Sequence, residues 1–239
     1  MRLRRAAFFD VDETLLAVPS LWRFLRHHLE QRHRDRTVAA AEFGRITGGL
    51  GARAASGVPR EELCREYFRL FTGQDAARLA EQGEAWFAAE QAEGRVFNQP
   101  VLRALSHHAA SGDLTVLVSG SFPACLDPVA RAVGADGLLC SRPEVRAGRY
   151  TGELPLPMVG EAKAQAVRAF ATRVGVDLGV STAYGDHLSD LPLLRLVGHP
   201  VGVGNDPALA AVADALGWTR ITDVPAAAGA TGSDLRQPV

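Results

Sequence analysis

Apolar positions along the chain fall into two textures. Leu3 and the run Ala6-Ala7-Phe8-Phe9 are apolar without alternation, which predicts a strand over 3–9 buried on both faces. From about 20 to 93 the spacing turns helical, over 21–29, 38–46, 61–71 and 75–90. In the third of these, Leu63, Tyr67, Leu70 and Phe71 share a face. Gly48-Gly49-Leu50-Gly51 and then Ser56-Gly57-Val58-Pro59 predict a flexible stretch between the second and third helices. After Gly94 strands and helices alternate. Strands are predicted at 114–118, 137–140, 181–184 and 201–203, and part of a hairpin at 149–152. Helices are predicted at 123–133, 161–174, 190–197 and 207–216, with Pro123 near a helix start, Gly134 and Gly175 at helix ends, and Asp206-Pro207 as a cap.

Alternating strand and helix implies a doubly wound, mostly parallel α/β sheet with helices on both faces. The helical block then reads as a smaller domain inserted after the first strand. The expected division is a core of 1–16 and 95–224, an inserted domain of 17–94, and a low-complexity tail, 225–239, of poor order.

Charge adds exclusions. The formal net charge is −1, which argues against a nucleic-acid partner. No apolar run approaches the roughly 18 residues of a membrane span. The basic start precedes only a short apolar run, below the roughly 7–15 residues of a signal h-region. Three scattered cysteines, Cys64, Cys125 and Cys140, form no metal or disulfide pattern, so a reducing cytoplasm is expected. His27-His28 and His107-His108 lack ligand partners at useful spacing and are expected at the surface. The sequence contains one lysine, Lys163; its other basic charges are arginine. A site needing a compact ammonium rather than a planar fork would explain that exception.

Parallel sheets gather function at the carboxyl edge of their strands. Three predicted strand ends carry unusual groups. In Asp10-Val11-Asp12-Glu13-Thr14, two carboxylates two residues apart project to one side and call for a cation, Asp oxygens suiting Mg²⁺. In Ser119-Gly120-Ser121, a hydroxyl and a glycine precede a helix start, a favourable place for an anion. In Gly185-Asp186-His187-Leu188-Ser189-Asp190, two carboxylates four apart fit a metal ligand and a supporting acid. The bland alternatives are a solvated turn, an ordinary N-cap and helix capping. Lys163 falls in a first helical turn, where the macrodipole disfavours it, so something negative should face it.

In this order, the motifs DVDET (10–14), SGS (119–121), Lys163 and GDHLSD (185–190) resemble those of the haloacid dehalogenase-like hydrolase superfamily. The likeness extends to about Trp218. Its details are similar to the phosphoserine-phosphatase-like branch with a helical cap. The resemblance implies a Rossmann-like core and an Mg²⁺-dependent phosphatase acting on a small-molecule phosphate monoester. It implies Asp10 as nucleophile and Asp12 as general acid and base. Mg²⁺ would be held by Asp10, the Asp12 carbonyl and Asp186. Ser119, the Gly120 N–H and Lys163 would hold the phosphoryl oxygens, with Thr14 and Ser189 contributing and Asp190 positioning Lys163 or the metal's waters. The residues by themselves support an acidic cation site facing an anion-binding helix start; they do not say which aspartate attacks.

Phosphoserine phosphatases carry a glutamate nine residues after the nucleophile, where this chain has Pro19. Arg45 and Arg53 are the candidates for gripping a substrate carboxylate. Trp22, Phe24, Trp86 and Phe87 are read as core, and His187, next to Asp186, is open between lining the site and standing outside it. Phosphoserine itself, phosphoryl transfer to another acceptor, and a non-catalytic phosphate-binding module are the alternatives. The residues carry no signal for an oligomeric state.

Overall fold

A computed structural model describes residues 4–94 and 96–224. Leu3 and the tail from Pro225 lie outside the described residues. Six parallel strands form the sheet: β1 (Ala6–Asp10), β2 (Leu114–Ser119), β3 (Gly137–Cys140), β6 (Thr182–Gly185), β7 (His199–Val203) and β8 (Thr219–Ile221), in the order β3-β2-β1-β6-β7-β8. A two-residue turn joins β4 (Val145–Arg146) to β5 (Arg149–Tyr150) as a hairpin. The chain moves outward from β1 through β2 to β3, then returns beside β1 at β6. That reversal opens a crevice beyond the carboxyl ends of β1 and β6, where parallel sheets hold their ligands.

Strand alternation divides the core. Ala7 and Phe9 face a cluster with Leu117, Leu105 and Val129; Ala6 and Phe8 face another with Val116, Val167 and Phe170. The first cluster contains helices α5 (Gln99–Ala110) and α6 (Pro123–Val133). The second contains α7 (Glu161–Val174), α8 (Leu191–Leu194) and α9 (Pro207–Leu216). The predicted bounds of α6, α7, α9 and β3 agree with the structure. α5 and β8 are elements that the sequence pattern did not reveal, α5 having only Val101 and Leu105 buried along its length.

Between β1 and α5 lie α1 (Ser20–Arg32), α2 (Arg36–Ala55), α3 (Arg60–Arg69) and α4 (Ala76–Ala92). The expected flexible stretch at 48–51 is a correction: it is helical, inside α2. Ala39, Phe43, Ile46 and Leu50 form a continuous buried stripe, and that packing overrides the weak helix propensity of the glycines. Trp22, Phe24, Trp86 and Phe87 are buried, as expected. Phe122, at the start of α6, contacts Phe24, Phe68 and Phe71 at ring distances of 5.5, 5.2 and 5.7 Å, joining these helices to the sheet. At Gly83 a Cβ would sit 1.7 Å from the Ala124 carbonyl oxygen, so α4 meets α6 backbone to side-chain-free backbone.

Candidate active site

β1 ends at Asp10, level with Val118 of β2, so Ser119 is one residue further along the neighbouring strand. On the other side Phe9 pairs with Tyr184, two residues before Asp186. Register alone therefore brings three of the predicted segments to one edge. The irregular turn Val11–Leu15 follows β1, with Glu13 in the left-handed region at φ 60°. That conformation is strained for a residue with a side chain. It closes the turn so that Thr14 comes back over Asp10: Thr14 Oγ1 lies 2.8 Å from Asp186 Oδ1 and 3.2 Å from Asp10 Oδ2. Thr14 thus serves the carboxylates directly.

α7 supplies Lys163 from its first turn. Lys163 Nζ donates to Asp10 Oδ1 at 2.6 Å and to Asp190 Oδ1 at 2.7 Å, and all three residues are buried. The negative partner expected for a cation at a helix start is therefore present. Burial opposes the ammonium charge, but Asp10 and Asp190 outweigh it and raise the Lys163 pKa. Asp190 also lies close to the other two carboxylates. Asp10, Asp186 and Asp190 each bring a carboxylate oxygen within 4.8 Å of the others. Three carboxylates against one ammonium leave an excess of two negative charges in a largely buried place. Burial raises the Asp10 pKa against the pull of Lys163. Burial, then Asp10 and Asp190, push Asp186 well above the usual carboxylate range. A divalent cation with oxygen ligands fits both the donor set and the charge. At Gly185 a Cβ would lie 2.7 Å from Asp190 Cβ, so the tight packing of this loop requires glycine.

Asp12 points elsewhere. Its Oδ1 accepts the Ser20 N–H at 2.7 Å, and its carboxylate is outside the three-carboxylate group. Burial pushes its pKa up to about 7, against the lowering effect of the bonds from Ser20. A carboxyl group balanced near neutrality is suited to both giving and taking a proton. Ser119 Oγ accepts the Ser121 N–H at 3.0 Å, and the N-cap position of α6 is Phe122, so the hydroxyls of this segment are not an ordinary cap. Asp10, Asp12, Ser119, Gly120, Lys163 and Ser189 line one cavity, closed by Leu21, Arg60 and Val159. Its volume, about 10 Å³, is that of roughly one water.

Arg60, which the sequence reading missed, is the cation that α3 brings to this cavity. Its Nη1 donates to Ser189 Oγ at 2.8 Å and approaches His187 Nδ1 at 3.3 Å. The signal was present: Arg60 opens a helix after Pro59, an unfavourable position for a cation, as at Lys163. The arginines expected instead lie apart from the cavity; Arg53 pairs with Glu62 and Glu66 at 3.1 and 2.6 Å, and Arg45 is exposed. His187 does not line the cavity; it caps the turn through the Ser189 N–H. Two of the four histidines expected at the surface are also corrected. His28 is buried against Gln82. His108 is held between Asp113 and Tyr184 at 2.8 and 2.9 Å.

The family model for haloacid dehalogenase-like hydrolases matches residues 7–195. The chain belongs to the haloacid dehalogenase-like hydrolase family. The match spans every segment that contributes a carboxylate, hydroxyl or ammonium to the site. The chain is 31% identical over 221 residues to a probable phosphatase of Mycobacterium tuberculosis, covering 91% of this chain and 75% of that protein. It is 30% identical over 223 residues to a phosphoserine phosphatase of the same organism, covering 90% and 70%. Among solved structures it is similar to a protein of unknown function from Bordetella pertussis, with a TM-score of 0.81 at 29% identity over 92% of this chain and 99% of that one. No helix among the described residues is long and apolar enough to cross a membrane.

Proposed function

We propose that the chain is an Mg²⁺-dependent phosphatase that hydrolyses a small-molecule phosphate monoester through an aspartyl-phosphate on Asp10. The observation that carries this reading is that Asp10, Asp12, Ser119, Gly120 and Lys163 line one and the same cavity. Phosphatase-named relatives at about 30% identity support it.

Asp10 attacks phosphorus: its carboxylate oxygen bonds to phosphorus as the bond to the leaving oxygen breaks. Asp12 gives its proton to that oxygen, then takes one from the water that cleaves the acyl phosphate. Ser119, the Gly120 N–H and Lys163 hold the phosphoryl oxygens as charge redistributes, with Ser189 at the edge. Asp10, Asp186 and the Asp12 carbonyl would hold Mg²⁺, while Asp190 and Thr14 keep Lys163 and Asp186 in place. The ion would neutralise the repulsion between a phosphoryl dianion and the Asp10 carboxylate.

Residues 17–94 form a cap in this reading, and 1–16 with 95–224 the catalytic core. Arg60 offers the leaving group an anion-binding contact from the cap. Pro19, the N-cap residue of α1, has no charge for a substrate ammonium, which weighs against phosphoserine as the main substrate. Three free, buried thiols fit the reducing cytoplasm as the compartment.

Purified protein with Mg²⁺ is expected to release phosphate from p-nitrophenyl phosphate. EDTA and Asp10→Asn are each expected to abolish that release. Undiminished turnover by the Asn variant would remove Asp10 from its role. Products formed with added alcohols separate hydrolysis from transfer.

A further inference from the structure

Ser20 is the first residue of α1, and it is fully buried beside the turn that carries Asp12. The N-cap residue before it, Pro19, has no side-chain acceptor for the free N–H groups of the helix start. Asp12 Oδ1 fills that role from outside the helix, accepting the Ser20 N–H at 2.7 Å. The Ser20 hydroxyl lies 2.9 Å from Ser121 Oγ, and the Ser121 N–H donates to Ser119 Oγ at 3.0 Å. Ser20, Ser119 and Ser121 are all buried. One dry line of hydrogen bonds therefore runs from the Asp12 carboxyl, through the first residue of α1, to the turn with the phosphate-facing hydroxyl.

This line has a chemical consequence. A carboxyl oxygen that accepts an N–H keeps its lone pair for that bond. The proton of a neutral Asp12 therefore belongs on Oδ2, the oxygen left for the reacting group. Holding Oδ1 also fixes the plane of the carboxyl, and a general acid acts only when its proton is aimed at the departing oxygen.

We propose that Ser20 is a positioning residue for this reaction: its N–H orients the Asp12 carboxyl, and its hydroxyl ties that orientation to the Ser119–Ser121 turn. The proposal rests on the reading of Asp12 as the general acid. In the step concerned, the Asp10 oxygen–phosphorus bond forms and the phosphorus–leaving oxygen bond breaks. The electron pair of the broken bond stays on the leaving oxygen, which receives the Asp12 proton. A seated α1 aims the acid; a displaced α1 leaves the nucleophile intact and the acid misdirected.

Leaving groups of different basicity test this. p-Nitrophenolate is a weak base and departs with little help; phenolate needs the proton more. The readout is kcat/KM for p-nitrophenyl phosphate and phenyl phosphate, which reports the first covalent step. Ser20→Pro removes the N–H at a helix position where proline is well tolerated, and Ser20→Ala removes the hydroxyl alone. Ser20→Pro is expected to lower kcat/KM for phenyl phosphate about ten-fold more than for p-nitrophenyl phosphate, and Ser20→Ala to do so by a smaller factor. Asp12→Asn is expected to show the same selectivity at greater size. Equal losses on both esters in the Ser20 variants, or no loss, overturn the proposal while a selective Asp12→Asn leaves the reading of Asp12 standing. An unselective Asp12→Asn overturns both. Should Ser20→Pro fail to fold by circular dichroism, the selectivity of Ser20→Ala decides alone.

Discussion

Lys163 shows how much one side chain organises. Its ammonium lies between Asp10 and Asp190 in a place with little water. Lys163→Met would leave buried carboxylates without their partner, a change that typically costs about 3–5 kcal/mol when nothing replaces the charge. The expected outcome is a markedly lower midpoint in thermal unfolding. Phosphate release is expected to fall on the order of 10²–10³-fold, as for loss of a group that stabilises transition-state charge. Arg60 acts on a different quantity. It touches the cavity from α3 and binds Ser189 rather than the nucleophile. Arg60→Ala is therefore expected to raise KM for an ester whose alcohol portion carries a carboxylate more than it lowers kcat. The same substitution should leave p-nitrophenyl phosphate, whose ring carries no charged substituent, nearly unaffected in KM. Steady-state kinetics on the two kinds of ester checks this. Of these two residues, Lys163 was legible in the sequence because it is the lone lysine. Arg60 was hidden among many arginines; its place at a helix start was a signal, and its arrival at the cavity gave that signal meaning.

Among the elements, α2 and α4 make a useful contrast, because both contain glycine and for opposite reasons. Gly48 lies on the exposed side of α2, with nothing within 4 Å of where a Cβ would sit. Gly48→Ala should stabilise the protein by about 0.5–1 kcal/mol, the difference in helix propensity. Gly83 is where α4 approaches α6, and a methyl group there would collide with the Ala124 carbonyl. Gly83→Ala should destabilise by roughly 1–3 kcal/mol, the usual range for overpacking, as the helices are forced apart. Chemical denaturation of the two variants beside the parent measures both signs. The sequence pattern treated the glycines of α2 as a break. Local propensity was right about their cost; the buried stripe from Ala39 to Leu50 outweighed it. Elements with strong punctuation were legible to the residue: α6 between Pro123 and Gly134, α7 before Gly175, α9 after Asp206. α5 carries start signals of its own, Asn98 at the N-cap and Pro100 in the first turn, and the pattern reading passed over them.

At the scale of the whole molecule, the carboxylate group links stability to pH and to metal. The Asp12 pKa is raised from 3.8 to about 7 by burial, so the fold favours the protonated form. That contribution is fully present below the unfolded value and is lost as pH rises through the folded one. It amounts to about 4 kcal/mol across the interval, from about 1.4 kcal/mol per pH unit. Asp10 and Asp186, also raised, act in the same direction. Lys163, raised above an already high value, contributes evenly over this range. Metal-free protein is therefore expected to lose thermal stability between about pH 4 and pH 8, and millimolar Mg²⁺ to reverse the trend at the upper end. A melting temperature that rises with pH in the presence of EDTA would contradict the assignment. The sequence by itself determined the order of strands and helices apart from α5 and β8, and the segments that carry the site's groups, because strand ends and helix starts are marked locally by their own residues. Only the tertiary structure decided which of those groups touch. The Thr14–Asp186 contact, the tie from Ser20 to Ser121, and the arrival of Arg60 from α3 at Ser189 depend on how the sheet reverses between β1 and β6 and how the inserted helices pack across it. Contacts between residues more than a hundred positions apart leave no spacing for a sequence pattern to register.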